Sequence, residues 1–302
     1  MSKKIPEAFK EYLHTLQAKP GKPVSLIDDF KTCCHEKPVP EYDIKAMLKK
    51  SISQLSTMQD KLYAHDKYGV LIVLQAMDAA GKDGAIKHVM KGLNPQGVKV
   101  WSFKSPNSIE LDHDYFWRHY SALPARGEIG IFNRSHYENV LVTRVHPEYV
   151  MNEKLPGIEK VDDITPEFWQ SRYEQINRFE KNLHENGTIV LKFFLHISKE
   201  EQRKRFLERI DNPSKNWKLS PADSKERKLW DNYMHAYEEM ISATTSGIAP
   251  WYIIPADDKW FARFCIASVI VAATKKLDLK YPEVDDKKRA ELLKIKEDLL
   301  NE

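Results

Sequence analysis

Cysteine is scarce in this sequence, with three residues among 302. Cys33 and Cys34 are neighbours, and Cys265 lies far along the chain. Such a set provides neither a disulfide framework nor the paired spacing of zinc ligands. We therefore expect reduced thiols in a cytoplasmic protein.

Long apolar runs and a large excess of one charge are also missing. The longest weakly polar stretch, residues 264–274, has about half of the roughly 20 residues that a membrane-spanning helix needs. The first residues are charged and contain no apolar core of a signal peptide. The net charge is +3, which excludes a globally basic protein. We expect a soluble protein with no membrane partner and no nucleic-acid partner.

Internal repeats and Gly/Ser linkers are absent, and short β-branched runs alternate with helical stretches instead. This alternation predicts an α/β fold with a parallel sheet sandwiched by helices. The predicted strands cover residues 70–74, 97–103, 127–132, 188–196 and 251–254. The predicted helices cover residues 42–62, 83–92, 109–121, 137–145, 166–185, 199–210, 221–247, 258–277 and 284–301. We divide the chain into an N-terminal helical extension (1–66), a core (67–283) and a C-terminal helix (284–302).

A candidate phosphate-binding loop follows the first predicted strand, at the strand end where parallel sheets bind ligands. Residues 78–84 read Asp-Ala-Ala-Gly-Lys-Asp-Gly and lead into a predicted helix. Free backbone N–H groups and the helix dipole favour an anion there, and Lys82 can reach its terminal phosphates. Asp83 replaces the Ser or Thr that usually supplies a metal ligand in such loops. Asp78 is then the candidate oxygen ligand, unless it only caps the turn.

A second polar cluster follows the third predicted strand. Arg134 offers a planar fork of donors suited to phosphate. Asn133 stands where many phosphate-loop enzymes carry a metal-binding Asp, and its neutral amide is a weaker ligand. We expect His136 and Tyr137 to pack beneath the turn rather than to act in catalysis.

Residues 199–230 hold ten basic and six acidic side chains, a surplus of four positive charges. A Pro-containing break between two predicted helices makes this stretch a candidate lid that closes over phosphates. Arg203, Arg209 and Lys218 are its candidate phosphate-binding residues, whereas Lys204 and Lys225 are expected on a solvated face.

Five phrases of the sequence together resemble the second family of polyphosphate kinases, which is similar in fold to thymidylate kinases. They are Ala-Met-Asp-Ala-Ala-Gly-Lys-Asp-Gly (76–84), Asp-His-Asp-Tyr-Phe-Trp-Arg (112–118), Gly-Glu-Ile-Gly-Ile-Phe-Asn-Arg-Ser-His-Tyr-Glu (127–138), Asn-Trp-Lys-Leu-Ser (216–220) and Pro-Trp-Tyr-Ile-Ile-Pro-Ala-Asp-Asp-Lys-Trp (250–260). The resemblance implies a P-loop kinase-like fold with a helical lid at about residues 209–228. It implies reversible transfer of the terminal phosphate of inorganic polyphosphate to a nucleotide, with Mg²⁺.

The resemblance also implies roles for individual residues. The expected catalytic residues are Asp78, Lys82 and Arg134. Phosphate binding is expected from Ala79, Ala80, Gly81, Lys82, Asp83, Gly84, Arg134, Arg203, Arg209 and Lys218. Nucleotide binding is expected from Arg118, Asn133, Glu138 and Asn139, and metal binding from Asp78, with Asn133 the less certain ligand.

The Asn-Arg-Ser-His-Tyr-Glu sequence (133–138) is similar to that of members accepting both AMP and ADP. Expected partners are therefore inorganic polyphosphate and AMP, ADP or ATP, with guanine nucleotides left open, and the resemblance suggests a homo-oligomer. The main alternative is an ATP-dependent nucleoside or nucleotide kinase of thymidylate kinase-like fold. Asp83 and the Trp-Lys-Leu-Ser phrase (217–220) disfavour that alternative. A nucleic-acid-binding module and a scaffold without catalysis are weaker alternatives.

Overall fold

The computed structural model describes residues 6–33 and 41–302, with side chains from residue 43 onward in the second range. Residues 1–5 and Cys34 lie outside these ranges. The described residues form one parallel sheet in the order β2-β3-β1-β4-β5. Its strands are β1 (Gly69–Ala76), β2 (Val98–Ser102), β3 (Ile129–Asn133), β4 (Thr188–His196) and β5 (Trp251–Pro255). All five predicted strands and the parallel α/β architecture are confirmed.

Helices cover both faces of this sheet. They are α1 (Glu7–Thr15), α2 (Glu41–His65), α3 (Lys82–Val89), α4 (Ser108–Leu111), α5 (Trp117–Tyr120), α6 (Glu138–Val145), α7 (Pro166–Glu185), α8 (Lys199–Asp211), α9 (Pro221–Lys228), α10 (Trp230–Thr244), α11 (Lys259–Lys275) and α12 (Asp286–Leu300). Every residue of β1 is buried, because neighbouring strands flank it and helices cover it on both faces. The core therefore lies around β1, from which the phosphate loop emerges.

The register of the sheet aligns the polar strand ends. Leu74 of β1 pairs with Asn133 of β3, and Asn133 in turn pairs with Ser102 of β2. Because parallel strands end at the same edge, the residues after β1, β2 and β3 meet there. This places Arg134 beside the phosphate loop.

Two predicted helices are interrupted. The helix predicted over residues 109–121 is wrong in its middle, where α4 and α5 are separate single turns. The Oδ1 atom of Asp114 accepts the N–H of Phe116 at 2.9 Å and starts a new turn there. The helix predicted over 221–247 is likewise divided into α9 and α10 at Leu229.

The N-terminal segment packs on the sheet and covers its β5 edge. Phe9 is fully buried and stacks on Phe264 at 4.3 Å between ring centroids. It belongs to α1, for which the sequence predicted no separate helix bounds within the N-terminal helical extension. The N–H of Ala18 donates to the carbonyl of Trp251 at 2.9 Å, and the N–H of Ile253 donates to that of Leu16 at 2.7 Å. These bonds occupy backbone groups that an edge strand would otherwise leave open.

Within the described ranges, no helix combines the length and the hydropathy needed to cross a membrane. The apolar α11 is instead buried against α2 and α3.

Candidate active site

The phosphate loop connects β1 to α3 in the strand–turn–helix arrangement expected from the sequence. Gly81 caps α3 with a φ of 109°, in the left-handed region that glycine adopts readily. Ala79 also has a positive φ, 61°, which is uncommon for a residue with a Cβ. The first N–H groups of α3 have no acceptor within the helix, so the loop presents donors suited to an anion.

Lys82 lies half-buried at the start of α3. Its Nζ donates to the carbonyl of Ala76 at 2.8 Å. Burial lowers the pKa of Lys82, and Arg134 lowers it further, whereas Asp78 and Glu138 raise it. A phosphate bound at the loop would add negative charge and favour the protonated lysine.

Arg134 lies between two carboxylates at the end of β3. Its Nη2 donates to Asp78 Oδ1 at 3.2 Å, and its Nη1 lies 3.7 Å from Glu138 Oε2. Its backbone has a φ of 64°, and its N–H donates to the carbonyl of Leu74 at 3.1 Å. The charge of Glu138 is the main cause that raises the pKa of Arg134, and burial raises the pKa of Glu138. The expected catalytic residues Asp78, Lys82 and Arg134 are thus brought together.

Asn133 connects the two polar clusters. Its Nδ2 donates to Asp83 Oδ1 at 2.9 Å. Its Oδ1 is buried and accepts no hydrogen bond from the described residues. A buried oxygen without a donor leaves a place for a ligand that the protein itself does not supply.

A buried ion pair supports the turn after β3. Lys192 Nζ donates to Glu180 Oε2 at 2.6 Å, to the hydroxyl of Tyr137 at 3.0 Å and to the carbonyl of Thr244 at 2.7 Å. The Tyr137 hydroxyl donates to Glu180 Oε1 at 2.6 Å. His136 and Tyr137 are fully buried, so the prediction that they pack beneath the turn is confirmed.

A cationic cavity of about 310 Å³ lies on one side of the loop. Its basic side chains are Arg205, Arg209, Lys215, Lys218, Lys259 and Arg263, against the single carboxylate of Glu208. A Cβ added to Gly84 would come within 3.1 Å of Arg263 Nη2, so this guanidinium lies directly over the loop. Burial and, next, the charge of Arg205 lower the pKa values of Lys259 and Arg263.

A central cavity of about 670 Å³ lies above the loop and beneath the candidate lid. Asp78, Lys82, Asn133 and Arg134 all line it. Lys218 from the lid lies 3.9 Å from Asp83, measured from Nζ to Oδ2, so the lid reaches the loop. The expected phosphate-binding residues Ala79, Ala80, Gly81, Asp83, Gly84, Arg209 and Lys218 also line this cavity.

A third cavity of about 290 Å³ has Asp78 and Arg134 in its lining and shares no lining residue with the cationic cavity. Its lining is acidic and aromatic, and includes Glu138, His146, Tyr149, Asp223, Glu226, Arg227, Tyr233 and Tyr237. His146 stacks on Tyr149 at 5.2 Å between ring centroids. Two cavities of different chemistry therefore flank the same loop.

Three expected site residues lie elsewhere. Arg203 is exposed, binds Glu200 at 2.6 Å on the surface of α8 and lines none of the three cavities. Arg118 donates to the carbonyl of Lys104 at 2.9 Å and supports the segment after β2 without lining the three cavities. Asn139 donates to Glu153 at 3.4 Å in the same small cleft as Arg118.

Other functional candidates were missed by the sequence reasoning. Lys259 and Arg263 belong to α11. Only the rule that ligands bind after strand ends and, for Lys259, the phrase at 250–260 pointed towards that region. Tyr149, Tyr233 and Tyr237 come from segments whose meeting depends on long-range packing. No local pattern in the sequence marks them.

The comparisons with known proteins agree with this geometry. The family model described as polyphosphate kinase 2 matches residues 40–282. An ADP-polyphosphate phosphotransferase of Rhodopseudomonas palustris is 51% identical over 84% of this chain and 87% of its own length. An AMP/ADP-polyphosphate phosphotransferase of Meiothermus ruber is 46% identical over 76% of this chain and 80% of its own length.

A solved structure shows the same fold. The crystal structure of Polyphosphate Kinase 2 from Arthrobacter aurescens TC1 superposes with a TM-score of 0.83 at 37% identity, covering 93% of this chain and 95% of that one. The chain belongs to the polyphosphate kinase 2 family and has its P-loop kinase-like fold.

Proposed function

We propose that this member of the polyphosphate kinase 2 family transfers the terminal phosphate of inorganic polyphosphate to AMP or ADP, and also catalyses the reverse reaction. The observation that carries the proposal is the pair of cavities on either side of one phosphate loop, one cationic and one acidic and aromatic. The activities named for the relatives from R. palustris and M. ruber support it.

The cationic cavity suits the phosphate donor. Polyphosphate carries a negative charge on every phosphate, so a strand of it needs several cations along its path and few carboxylates. Five basic side chains besides Arg205 line this cavity, and two of them, Arg209 and Lys218, also line the central cavity above the loop. Burial and, next, the neighbouring charge of Arg205 lower the pKa values of Lys259 and Arg263, and an anion bound in this cavity would favour their charged forms.

The third cavity, which is acidic and aromatic, suits a nucleotide acceptor. The half-exposed ring of Tyr149 offers a face for a base, and carboxylates such as Asp223 can accept from exocyclic amines. Adenine and guanine both carry such amines, so we include guanine nucleotides among the proposed acceptors. The acceptor phosphate would lie near Arg134, between this cavity and the loop.

Catalysis would rest on positioning and on charge stabilisation, as in other phosphoryl transfers. Lys82 and Arg134 are placed to stabilise the charge on the transferred phosphoryl group. The terminal phosphate of the acceptor has a pKa near ~6, comparable to that of a phosphorylated side chain, and needs no strong general base at neutral pH. Asp78, held by Arg134, therefore orients groups rather than accepting a proton.

Enzymes of this kind generally need a divalent metal ion, and we propose Mg²⁺. The described residues contain no cluster of three or more His, Cys, Asp or Glu side chains that could hold a metal by itself. Mg²⁺ usually binds one or two protein oxygens together with phosphates and water. Asp78 and the unpartnered Oδ1 of Asn133 fit that requirement. The ion would offset repulsion between the two polyanionic substrates.

The test is a transfer assay with the purified protein, Mg²⁺, polyphosphate and either ADP or AMP. The proposal predicts ATP from ADP, and ADP from AMP, with no ATP added at the start. Product formed only from ATP plus a nucleoside or nucleotide would favour the ATP-dependent kinase instead. The Lys82→Ala variant serves as the inactive control.

We also propose that the protein forms a homo-oligomer through α12. This helix has no buried residue in the described chain, yet one face carries Leu292, Leu293, Ile295, Leu299 and Leu300. Its first turn carries Lys287, Lys288 and Arg289 beside the single carboxylate of Asp286, and its last turns carry Glu297 and Asp298. Antiparallel pairing with α12 of a second copy would bring these opposite charges together and cover the apolar face.

Light scattering of the protein as it elutes from a size-exclusion column gives its mass and tests the α12 pairing. The wild type should form an oligomer that the double variant Leu292→Glu/Leu299→Glu dissociates, whereas Lys294→Glu on the opposite face should leave it intact. A wild type that is monomeric, or a double variant that keeps the wild-type mass, would overturn the pairing.

A further inference from the structure

Arg205 lines the cationic cavity, but its guanidinium is fully used by the protein. Its Nη1 donates to the carbonyls of Ala79 and Ala80 at 3.0 and 2.9 Å. Its Nη2 donates to those of Ala256 and Asp257 at 2.7 and 3.0 Å. Its Nε donates to Glu201 at 2.7 Å. Arginine has five N–H donors, so none is left for a phosphate.

These bonds fix the direction in which the loop carbonyls point. Gln202, on the same face of α8, donates to the carbonyl of Asp78 at 3.0 Å. Three consecutive loop carbonyls, from Asp78 to Ala80, are therefore held towards α8. The side of the loop that faces the substrates is left to N–H groups, which an anion requires.

The same contacts stabilise an unfavourable backbone conformation. Ala79 has a φ of 61°, which a residue with a Cβ adopts reluctantly. The bond from Arg205 to its carbonyl opposes relaxation of this peptide. Because Arg205 also holds the segment after β5 and lies one turn before Arg209, it connects the loop to the base of the lid.

We propose that Arg205 is a positioning residue that, together with Gln202, holds the phosphate loop in its anion-binding conformation without contacting phosphate itself. Lysine at this position would keep the charge, but it has three donors and no planar fork. It therefore cannot hold both pairs of carbonyls. The inference rests on the proposed function only for its activity assay.

The primary test is Arg205→Lys, with Arg203→Lys on the exposed side of the same helix as the matched control. A loop shifted by about 1 Å should lower kcat by roughly 100-fold. We expect such a loss in kcat for Arg205→Lys, little change in the KM for ADP, and wild-type values for Arg203→Lys. Wild-type kcat in a folded Arg205→Lys protein would overturn the proposal. If this variant does not fold, Gln202→Met replaces it, with a smaller loss of kcat expected and wild-type kcat again overturning the proposal.

A second-site change separates positioning from general destabilisation. Ala79→Gly removes the penalty of the left-handed conformation. It should restore about fivefold or more of the kcat lost in Arg205→Lys. Loss of kcat that matches the loss of folded protein by circular dichroism, with no recovery in the double variant, would contradict positioning.

Calorimetric titration with tripolyphosphate keeps this inference separate from the transfer assay. Arg205→Lys should bind tripolyphosphate at least about tenfold more weakly than Arg203→Lys does, whether or not transfer occurs. Equal affinities of the two variants would overturn the role of Arg205. Failure of wild-type transfer with this difference intact would overturn the proposed function alone.

Discussion

At the scale of the residue, Lys82 is the side chain whose environment is most directly tied to phosphate. It is half-buried, donates to the carbonyl of Ala76, and has its pKa lowered first by burial and then by Arg134. The carboxylates of Asp78 and Glu138 act in the opposite direction and favour its charged form, and a substrate phosphate would favour that form further.

Lys82→Ala should lower kcat by on the order of 100- to 1,000-fold, the range for loss of one donor to a developing negative charge. The fold should be retained, because the side chain makes one hydrogen bond to the protein. Lys87→Ala, an exposed position on the same helix, is the control. Steady-state kinetics measures the loss of kcat, and thermal melting checks that the fold is retained. Near wild-type activity in Lys82→Ala would refute the assignment.

The buried ion pair beneath the site concerns stability rather than chemistry. Lys192→Met should destabilise the protein by about 3–5 kcal/mol, because it leaves Glu180 as an uncompensated buried charge. Adding Glu180→Gln removes that charge and should recover part of the loss. Urea unfolding measures both variants, and a double variant less stable than Lys192→Met alone would contradict this explanation.

At the scale of the element, the lid depends on which faces of its helices meet the loop. Arg209 and Lys218 line the central cavity, whereas Arg203 binds Glu200 on the outside of the same segment. The positive charges of residues 199–230 therefore divide into a few that line the cavity and a larger set that faces solvent.

Replacing Arg209 and Lys218 together by Gln should reduce the salt dependence of polyphosphate binding. By analogy with single-stranded polyanions, the slope of log affinity against log salt should fall by roughly 0.7 for each cation lost. Lys204→Gln with Lys225→Gln, both exposed, is the matched control. An unchanged slope in the Arg209→Gln/Lys218→Gln variant would indicate that these two side chains face solvent and do not contact polyphosphate.

Local patterns predicted the strands and the loop well, since both depend on residues adjacent in sequence. The β-branched run of β1 and the Gly81-Lys82 pair are such signals. Arg205 and Arg263 could not be assigned in this way, because they reach the loop from the interiors of α8 and α11. Their direction is set by how those helices pack, and a count of charges does not contain that information.

At the scale of the whole molecule, buried histidines predict sensitivity to acid. Burial lowers the pKa of His119 to about 3 and that of His196 to about 4, and it holds the pKa of His136 well below the usual value. The unfolded chain binds these protons near pH 6.5 and the folded chain does not. These histidines therefore do not lower the free energy of unfolding above about pH 6.5, and they lower it increasingly as the pH decreases towards 4.

Each of these histidines should cost about 1.4 kcal/mol of unfolding free energy at pH 5.5, given an unfolded pKa near ~6.5. Urea unfolding at pH 7.5 and pH 5.5 measures the sum. His196→Gln should reduce the difference between the two pH values by about one histidine's share. A stability that does not change over this interval would contradict the assignment.

The KM values for both substrates in two variants show whether the donor and the acceptor occupy different sides of one loop. Arg263→Gln should raise the KM for polyphosphate about tenfold and leave that for ADP unchanged. Tyr149→Ala, which removes a stacking surface, should raise the KM for ADP about tenfold and leave that for polyphosphate unchanged. Variants that move both KM values together, or in the opposite sense, would contradict the account.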